Sequence, residues 1–201
     1  MTDPLAAVRT HLRRFFTEAG LDAEPATAKV TFLGAEPIEV LRFGPGADGL
    51  LHYLSVGCSR HPMVDPTSAI ADTLHGPRAE VVLRLRDKGP VIRLARSLAI
   101  LAATPAVDGV VLTEDALIDF GSPLWETPSG PAPFTAALLG RSDIPDFPLQ
   151  PMDSVRFLSV TPITATEAAW VRLKGAEALR EAWRSDGVDV LDPNRPVVQA
   201  N

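Results

Sequence analysis

The segment that decides the fold is LLHYLSVGCS, residues 50–59. Side chains alternate between the two faces of a β-strand, so even-numbered residues from 50 to 56 share one face and odd-numbered residues share the other. Both sets are mainly apolar, and this strand is therefore expected to be covered on both faces. Gly57 then marks the point where the strand gives way to a loop.

An amphipathic helix is expected at the N-terminal end, over residues 3–19. Asp3 before Pro4 is a good helix start, because Asp accepts hydrogen bonds from free backbone N–H groups and the fixed φ of proline suits the first turn. Gly20 ends the run. The apolar stripe of this helix consists of Leu5, Val8, Leu12 and Phe15.

Further strands and one helix flank residues 50–56. Alternating or β-branched runs at residues 29–33, 38–43 and 79–85 predict strands. The run at 38–43 should form a hairpin with 50–56, since the intervening residues are rich in Gly, Pro and Asp. Residues 90–104 carry apolar side chains at helical spacing and predict a helix.

The second half of the chain is less regular. Residues 109–113 predict a short strand, whereas 119–151 are dominated by Pro, Gly, Ser and Asp, interrupted only at 134–139. Such a stretch is typical of a functional loop or a surface cover. Its four aromatic side chains indicate packing against the body of the protein, namely Phe120, Trp125, Phe134 and Phe147.

A strand and a helix are expected near the C-terminal end. Residues 155–161 predict a buried strand that Pro162 ends. Thr164 and Glu167 have the spacing of a capping box, in which each side chain bonds the other residue's backbone N–H at a helix start. One helical stripe should run to Gly187 and dock on the sheet through Trp170, Leu173, Ala176, Leu179 and Trp183.

Together these elements predict an α/β fold of the α+β sandwich type, with a mixed, largely antiparallel sheet flanked by helices. Residues 1–201 are expected to form a single domain, because apolar residues make up 46% of the chain and charged residues 22%. No repeat or low-complexity tract divides it.

Composition also limits the partners and the compartment. The net charge of −6 disfavours binding to nucleic acid. Neither a secretory signal nor a membrane span is expected, since Arg96 interrupts the most apolar stretch, residues 94–103. Cys58 is the only cysteine, so no internal disulfide can form, and a reducing cytoplasm is the expected location.

Cys58 and His61 are the most suggestive pair for catalysis. A thiol and an imidazole three residues apart favour a nucleophile and its base, which leaves open a hydrolase or transferase. A working site also needs a group that orients the base and donors that stabilise the oxyanion. The alternative is a packed cysteine and a histidine fixed in a turn before Pro62. We expect no enzyme activity and no catalytic residue.

A metal site is not expected. His52, His61 and His75, with Asp65 or Asp72, match no ligand spacing, because no two of these histidines lie three or four residues apart. Phosphate-binding glycine loops and the GxSxG nucleophile elbow are also missing from the sequence. No cofactor is therefore expected.

Several segments, taken in order, resemble the suppressor of fused family. They are the strand and turn at 51–59, the strand at 79–85, the strand and helix start at 155–167, and Asp192-Pro193-Asn194-Arg195-Pro196. The resemblance extends from about residue 30 to 197. It implies a protein-binding domain without catalytic residues, and for bacterial members it implies an immunity protein that neutralises a toxin.

The resemblance also suggests where a partner protein binds. Tyr53 and Asp65 fall near positions that resemble the partner-contacting region of animal members. The loop from Gly57 to Pro66 adds Ser59, Arg60, His61 and Met63, and Arg and Met are enriched in protein contacts. This loop and residues 119–151 are the expected interface. A role as a structural scaffold remains an alternative, and the oligomeric state is left open.

Overall fold

The sheet grows outward from the strand at residues 50–56, as its two apolar faces predict. The computed structural model describes residues 3–21, 24–64, 67, 72 and 74–197. The strands are β1 (Ala26–Phe32), β2 (Ala35–Phe43), β3 (Leu50–Val56), β4 (Arg78–Arg86), β5 (Leu117–Asp119), β6 (Glu126–Thr127), β7 (Gly130–Pro131), β8 (Phe134–Arg141) and β9 (Val155–Thr164). The helices are α1 (Pro4–Glu18), α2 (Leu94–Asp108), α3 (Ala165–Lys174) and α4 (Ala176–Ser185).

Seven strands form one mixed sheet in the order β1-β2-β3-β4-β9-β8-β5, and β6 pairs with β7 apart from it. Neighbours in the large sheet are antiparallel except β4 and β9, which are parallel. β2 and β3 form the predicted hairpin. The expected fold class, a mixed and largely antiparallel sheet flanked by helices, is confirmed.

Helices cover both faces of the sheet. Leu51 and Tyr53 of β3 pack in the same cluster as Leu98 of α2, whereas Leu54 and Val56 of β3 pack with α1. The alternation of β3 therefore predicts both layers correctly. On the α1 side, α3 and α4 cover the other end of the sheet, over Leu138 of β8 and Ile163 of β9.

Both predicted helix starts are present. Asp3 caps α1, and its Oδ1 accepts from the Leu5 N–H at 3.1 Å. Phe16, next to the predicted Phe15, completes the buried stripe of α1 with Leu5, Val8 and Leu12. At α3 the capping box is complete, since Thr164 Oγ1 accepts from Glu167 N and Glu167 Oε2 accepts from Thr164 N.

Two strand predictions are wrong. Residues 109–113 form no strand. Leu112 is nevertheless buried, so the apolar side chains here reflect packing in the core and not pairing with another strand. Pro162 does not end β9 but pairs with Ala137 of β8. The pairing between β4 and β9 ends at Val160. The missing N–H of Pro162 therefore breaks no hydrogen bond to β4.

The late helix and the irregular stretch also differ from expectation. Gly175, with φ +87°, separates α3 from α4, and the side chain of Leu173 points outward with 84% exposure. Within residues 119–151, β8 is an interior strand and not a surface cover. The expected packing of the aromatics is confirmed, because Trp125 and Phe134 are each 1% exposed.

Candidate functional site

The loop after β3 begins at a position that only glycine fits. Gly57 has φ +143°, and a Cβ there would lie 2.9 Å from Cδ1 of Ile38. A substitution would therefore be strained by backbone conformation and by contact. The chain then makes a single 3₁₀ turn over Cys58–Arg60.

A buried carboxylate holds this turn from inside. Glu80 lies in β4 and is 0% exposed. Its Oε1 accepts from Gly57 N at 2.8 Å, from Ser59 N at 3.0 Å and from Ser59 Oγ at 2.6 Å, while its Oε2 accepts from Ser55 Oγ. These four bonds compensate the cost of burying the charge and fix the backbone of the turn.

A buried arginine holds the other side of the turn. Arg78, at the start of β4, is 1% exposed. Its Nη1 donates to the carbonyl oxygens of Ser59 and Arg60, each at 2.8 Å. Its Nη2 donates to the carbonyl of Leu74 at 3.4 Å. One guanidinium therefore ties the turn to the segment that returns to the sheet.

The outer side of the turn carries charge. Arg60 Nη1 lies 2.8 Å from Oε1 of Glu36 in β2, and His61 Nε2 lies 2.8 Å from Oε2 of the same carboxylate. Hydrogen bonds from Arg60 first, and then from His61, lower the pKa of Glu36. We call Glu36, Arg60 and His61 the loop surface. It is accessible, since the His61 side chain is 71% exposed.

The sequence profile of the suppressor of fused protein (SUFU) family matches residues 34–196. The chain belongs to the suppressor of fused family. No curated protein sequence matches it.

Solved structures of suppressor of fused proteins share the fold. A homologue from Neisseria gonorrhoeae FA 1090 is 21% identical with a TM-score of 0.66, covering 98% of this chain and 99% of that one. The structure of a Sufu-Fu complex gives 14% identity and a TM-score of 0.67, covering 97% of this chain and 91% of that one. Drosophila Suppressor of Fused gives 16% identity and a TM-score of 0.68, and the match covers 97% of this chain but 51% of the fly protein.

The structure separates the predicted interface residues of this suppressor of fused domain into two groups. Tyr53, Ser59 and Met63 are buried at 6%, 0% and 5% exposure, so these three side chains contribute little to the accessible surface. Met63 packs in the core, where its sulfur accepts from Leu112 N at 3.3 Å. The His61 side chain is 71% exposed, whereas the Arg60 side chain is 23% exposed. Asp65 lies outside the described residues.

Cys58 and His61 are not arranged as a nucleophile and base. Burial, and then the nearby Glu80 carboxylate, raise the pKa of the Cys58 thiol well above its usual range, which opposes thiolate formation. The His61 Nε2 is bonded to Glu36. Both residues line a cleft of about 250 Å³, but this geometry gives the hydrolase or transferase alternative no support.

Within residues 3–21, 24–64, 67, 72 and 74–197, no three His, Cys, Asp or Glu side chains come close enough to hold a metal ion. No helix in the same part of the chain is long and apolar enough to cross a bilayer.

Sequence reasoning missed the two groups that build the site, Glu80 and Arg78. A usable signal was present. Glu80 stands inside the predicted strand at 79–85, among apolar residues on both sides. A charge in the middle of a strand with two covered faces must find buried partners.

Proposed function

We propose that this chain is a non-catalytic protein-binding module and that its partner contacts the loop surface of Glu36, Arg60 and His61. The observation that carries the proposal is the pair of buried anchors, Glu80 and Arg78, beneath an accessible Arg-His-Glu group. A loop fixed in advance loses little conformational entropy on binding. Arginine is also enriched in protein interfaces.

The relatives are consistent with this role. One of the solved relatives is a complex, Sufu with Fu, so a protein of this fold does bind another protein. The whole fly protein is about twice as long as the match, and its partners are therefore not transferred to this chain. For this chain we propose protein binding in general, with the loop surface as the part that contacts the partner.

A site-specific crosslink tests the proposal. A photo-reactive amino acid at position 61 should yield one predominant crosslinked protein, which mass spectrometry identifies. The same group at Leu173, which is 84% exposed on α3, is the matched control and should not capture that protein. Equal capture from both positions, or none from position 61, would contradict the proposed surface.

In its finer form, the proposal is that the partner is a protein toxin, as the resemblance to bacterial family members implies. Co-expression of the chain with a toxin encoded beside it should then restore growth. The variant Arg60→Ala/His61→Ala should protect less well at equal protein level. If wild-type protein gives no protection while the crosslinked partner is a different protein, the toxin role fails and the binding role stands.

A further inference from the structure

The large sheet has an unpaired edge at β1. Among the described strands, β1 pairs with β2 and with no other, and residues 26–29 are all exposed. In an antiparallel pair, every second residue of the outer strand directs its N–H and C=O away from its partner. The edge of β1 therefore offers backbone donors and acceptors to another extended chain.

Only the second half of this edge is protected against such pairing. Proteins commonly block an exposed edge strand with a lysine or a β-bulge. β1 has both, at Lys29 and in the register shift between Val30 and Phe32. The first half is regular and carries small side chains, namely Ala26, Thr27 and Ala28. We call residues 26–28 the open edge.

An open hollow of about 280 Å³ lies beside the open edge, on the α2 face of the sheet. The open edge borders one side, Leu94 and Ala95 at the start of α2 border another, and Arg42 and Arg93 also line it. Ala26 is directly opposite Arg42, and a methyl group is too small to cover the exposed arginine. Every second side chain of an added strand would lie on this face of the sheet.

Arg42 supplies the available charge of the hollow. Among the described residues that line the hollow, none is acidic. Arg93 already pairs with Glu126 at 3.0 Å, but Arg42 forms no ion pair in the described part of the chain. Arg42 interacts with the hydroxyl of the buried Tyr53. Asp87 borders the adjoining hollow and not this one.

The start of α2 supports the same sign of charge. This helix of fifteen residues has no acidic residue in its first turn and no side-chain cap, so no carboxylate of that turn offsets the positive end of its dipole. The chain as a whole has a net charge of −6, which opposes the approach of an acidic segment in general. A preference for acid at this edge would therefore be a local property.

We propose that the open edge of β1 binds an extended, acidic segment of a partner protein, which adds to the seven-stranded sheet as a further strand. Backbone pairing with residues 26–28 would hold the segment, and an Asp or Glu on its α2 face would bind Arg42. The proposal does not rest on the loop surface, because Arg42 lies six residues beyond Glu36 along β2, or about 20 Å.

Amide chemical-shift titrations of the full chain test the chemistry of the segment. The probe is the peptide acetyl-Thr-Glu-Val-Glu-Thr-amide, whose two glutamates share one face of a strand. Matched peptides carry glutamine or lysine at both glutamate positions, and a fourth is the acidic peptide N-methylated at the valine and the glutamate after it, which blocks pairing along both of its edges.

The acidic peptide should give saturable shifts at residues 26–28 and 42. The other three peptides should bind at least about fivefold more weakly. Equal binding of the acidic, glutamine and lysine peptides, equal binding of the N-methylated peptide, or no saturable shift with the acidic peptide overturns the proposal.

Variants test the role of Arg42. Arg42→Met should weaken binding of the acidic peptide at least about fivefold and remove the preference over the glutamine peptide, whereas Arg42→Lys should keep that preference. Arg156→Met is the matched control, since Arg156 is an exposed arginine of β9 outside the hollow, and should bind as wild type does. A dispersed amide spectrum shows that each variant is folded. An equal loss in Arg42→Met and Arg156→Met overturns the proposal.

A second copy of this chain is the other occupant that the experiment distinguishes. The free protein should sediment as a monomer at the concentration used for the titration. A dimer in which the amides of residues 26–28 become protected from hydrogen exchange would assign the open edge to self-association and overturn the proposal.

Discussion

Two fully buried glutamates, Glu167 and Glu80, have different kinds of hydrogen-bond partner in this protein. Glu167 meets a buried cation, since both of its carboxylate oxygens lie 2.8 Å from the guanidinium of Arg195, and Trp183 Nε1 also donates to it at 2.8 Å. The four hydrogen bonds that reach Glu80 come from hydroxyl and amide groups.

The cluster around Glu167 therefore supports the interior of the fold, whereas the cluster around Glu80 positions the turn after β3. Arg195 further donates to the Pro162 carbonyl at 3.0 Å and lies over the Phe134 ring, 4.8 Å from its centre. The pair therefore joins the start of α3, strand β9 and the C-terminal segment in the interior. Glu80 instead stabilises a turn whose outer side is open to solvent. We expect damage at Glu167 to affect the whole fold, and damage at Glu80 to affect chiefly the loop.

The largest expected effect is at Arg195. Arg195→Met leaves Glu167 charged, buried and without its cation, and should destabilise the protein by about 3–5 kcal/mol. Urea unfolding measures this loss. Arg184→Ala removes an arginine whose side chain is 61% exposed beside Glu177 and Glu181, and should cost less than about 1 kcal/mol. Similar losses in the two variants would contradict the structural role of the buried pair.

The intermediate effect is at Glu80. Glu80→Gln keeps the shape of the side chain but places an amide NH₂ where an oxygen now accepts hydrogen bonds, and should cost about 1–3 kcal/mol. Hydrogen exchange should accelerate at the Gly57 and Ser59 amides much more than at amides of β8, whose strand lies far from the loop. Uniform acceleration across the sheet would show that Glu80, like Glu167, is a global support.

The pH dependence of stability sharpens the comparison. Burial alone raises the pKa of Glu167, but hydrogen bonds from Arg195, the Thr164 N–H and Trp183 bring it below the ordinary value of 4.5. The contribution of Glu167 is then fully present above the unfolded pKa and is lost as the pH falls through the lower folded pKa. The stability advantage of wild type over Glu167→Gln, followed by thermal unfolding, should shrink below about pH 4.5. If the stability advantage of wild type instead grows as the pH falls, the lowered pKa of Glu167 in the folded protein is contradicted.

The sequence predicted the parts of the fold that depend on local rules. The alternation of residues 50–56 predicted the two covered faces of β3, and Thr164 with Glu167 predicted the start of α3. Each depends on neighbours within a few positions. The break at Gly175 was missed because the apolar spacing continues across it, and the strand expected at 109–113 failed because burial and pairing give the same apolar signal.

The site was harder to predict because its supports are distant in sequence. Glu80 lies 21 residues from Ser59, and Arg195 lies 28 residues from Glu167. The sequence singled out Glu167 through its capping box and Arg195 through the DPNRP segment, yet nothing in the spacing joined them. Met63 was expected at an interface, but an apolar side chain beside a loop can equally turn into the core, as it does here.

The most direct test of the account is the affinity of Arg60→Ala/His61→Ala for the partner captured at position 61, measured by calorimetry together with the melting temperature. We predict a loss of at least about 2 kcal/mol in binding with little change in melting temperature, because among the described residues both side chains bond only the exposed carboxylate of Glu36. The control Arg172→Ala/Arg184→Ala removes two exposed arginines from α3 and α4 and should bind as wild type does. Unchanged affinity in the loop variant, or an equal loss in the control, would contradict the claim that the loop surface binds the partner.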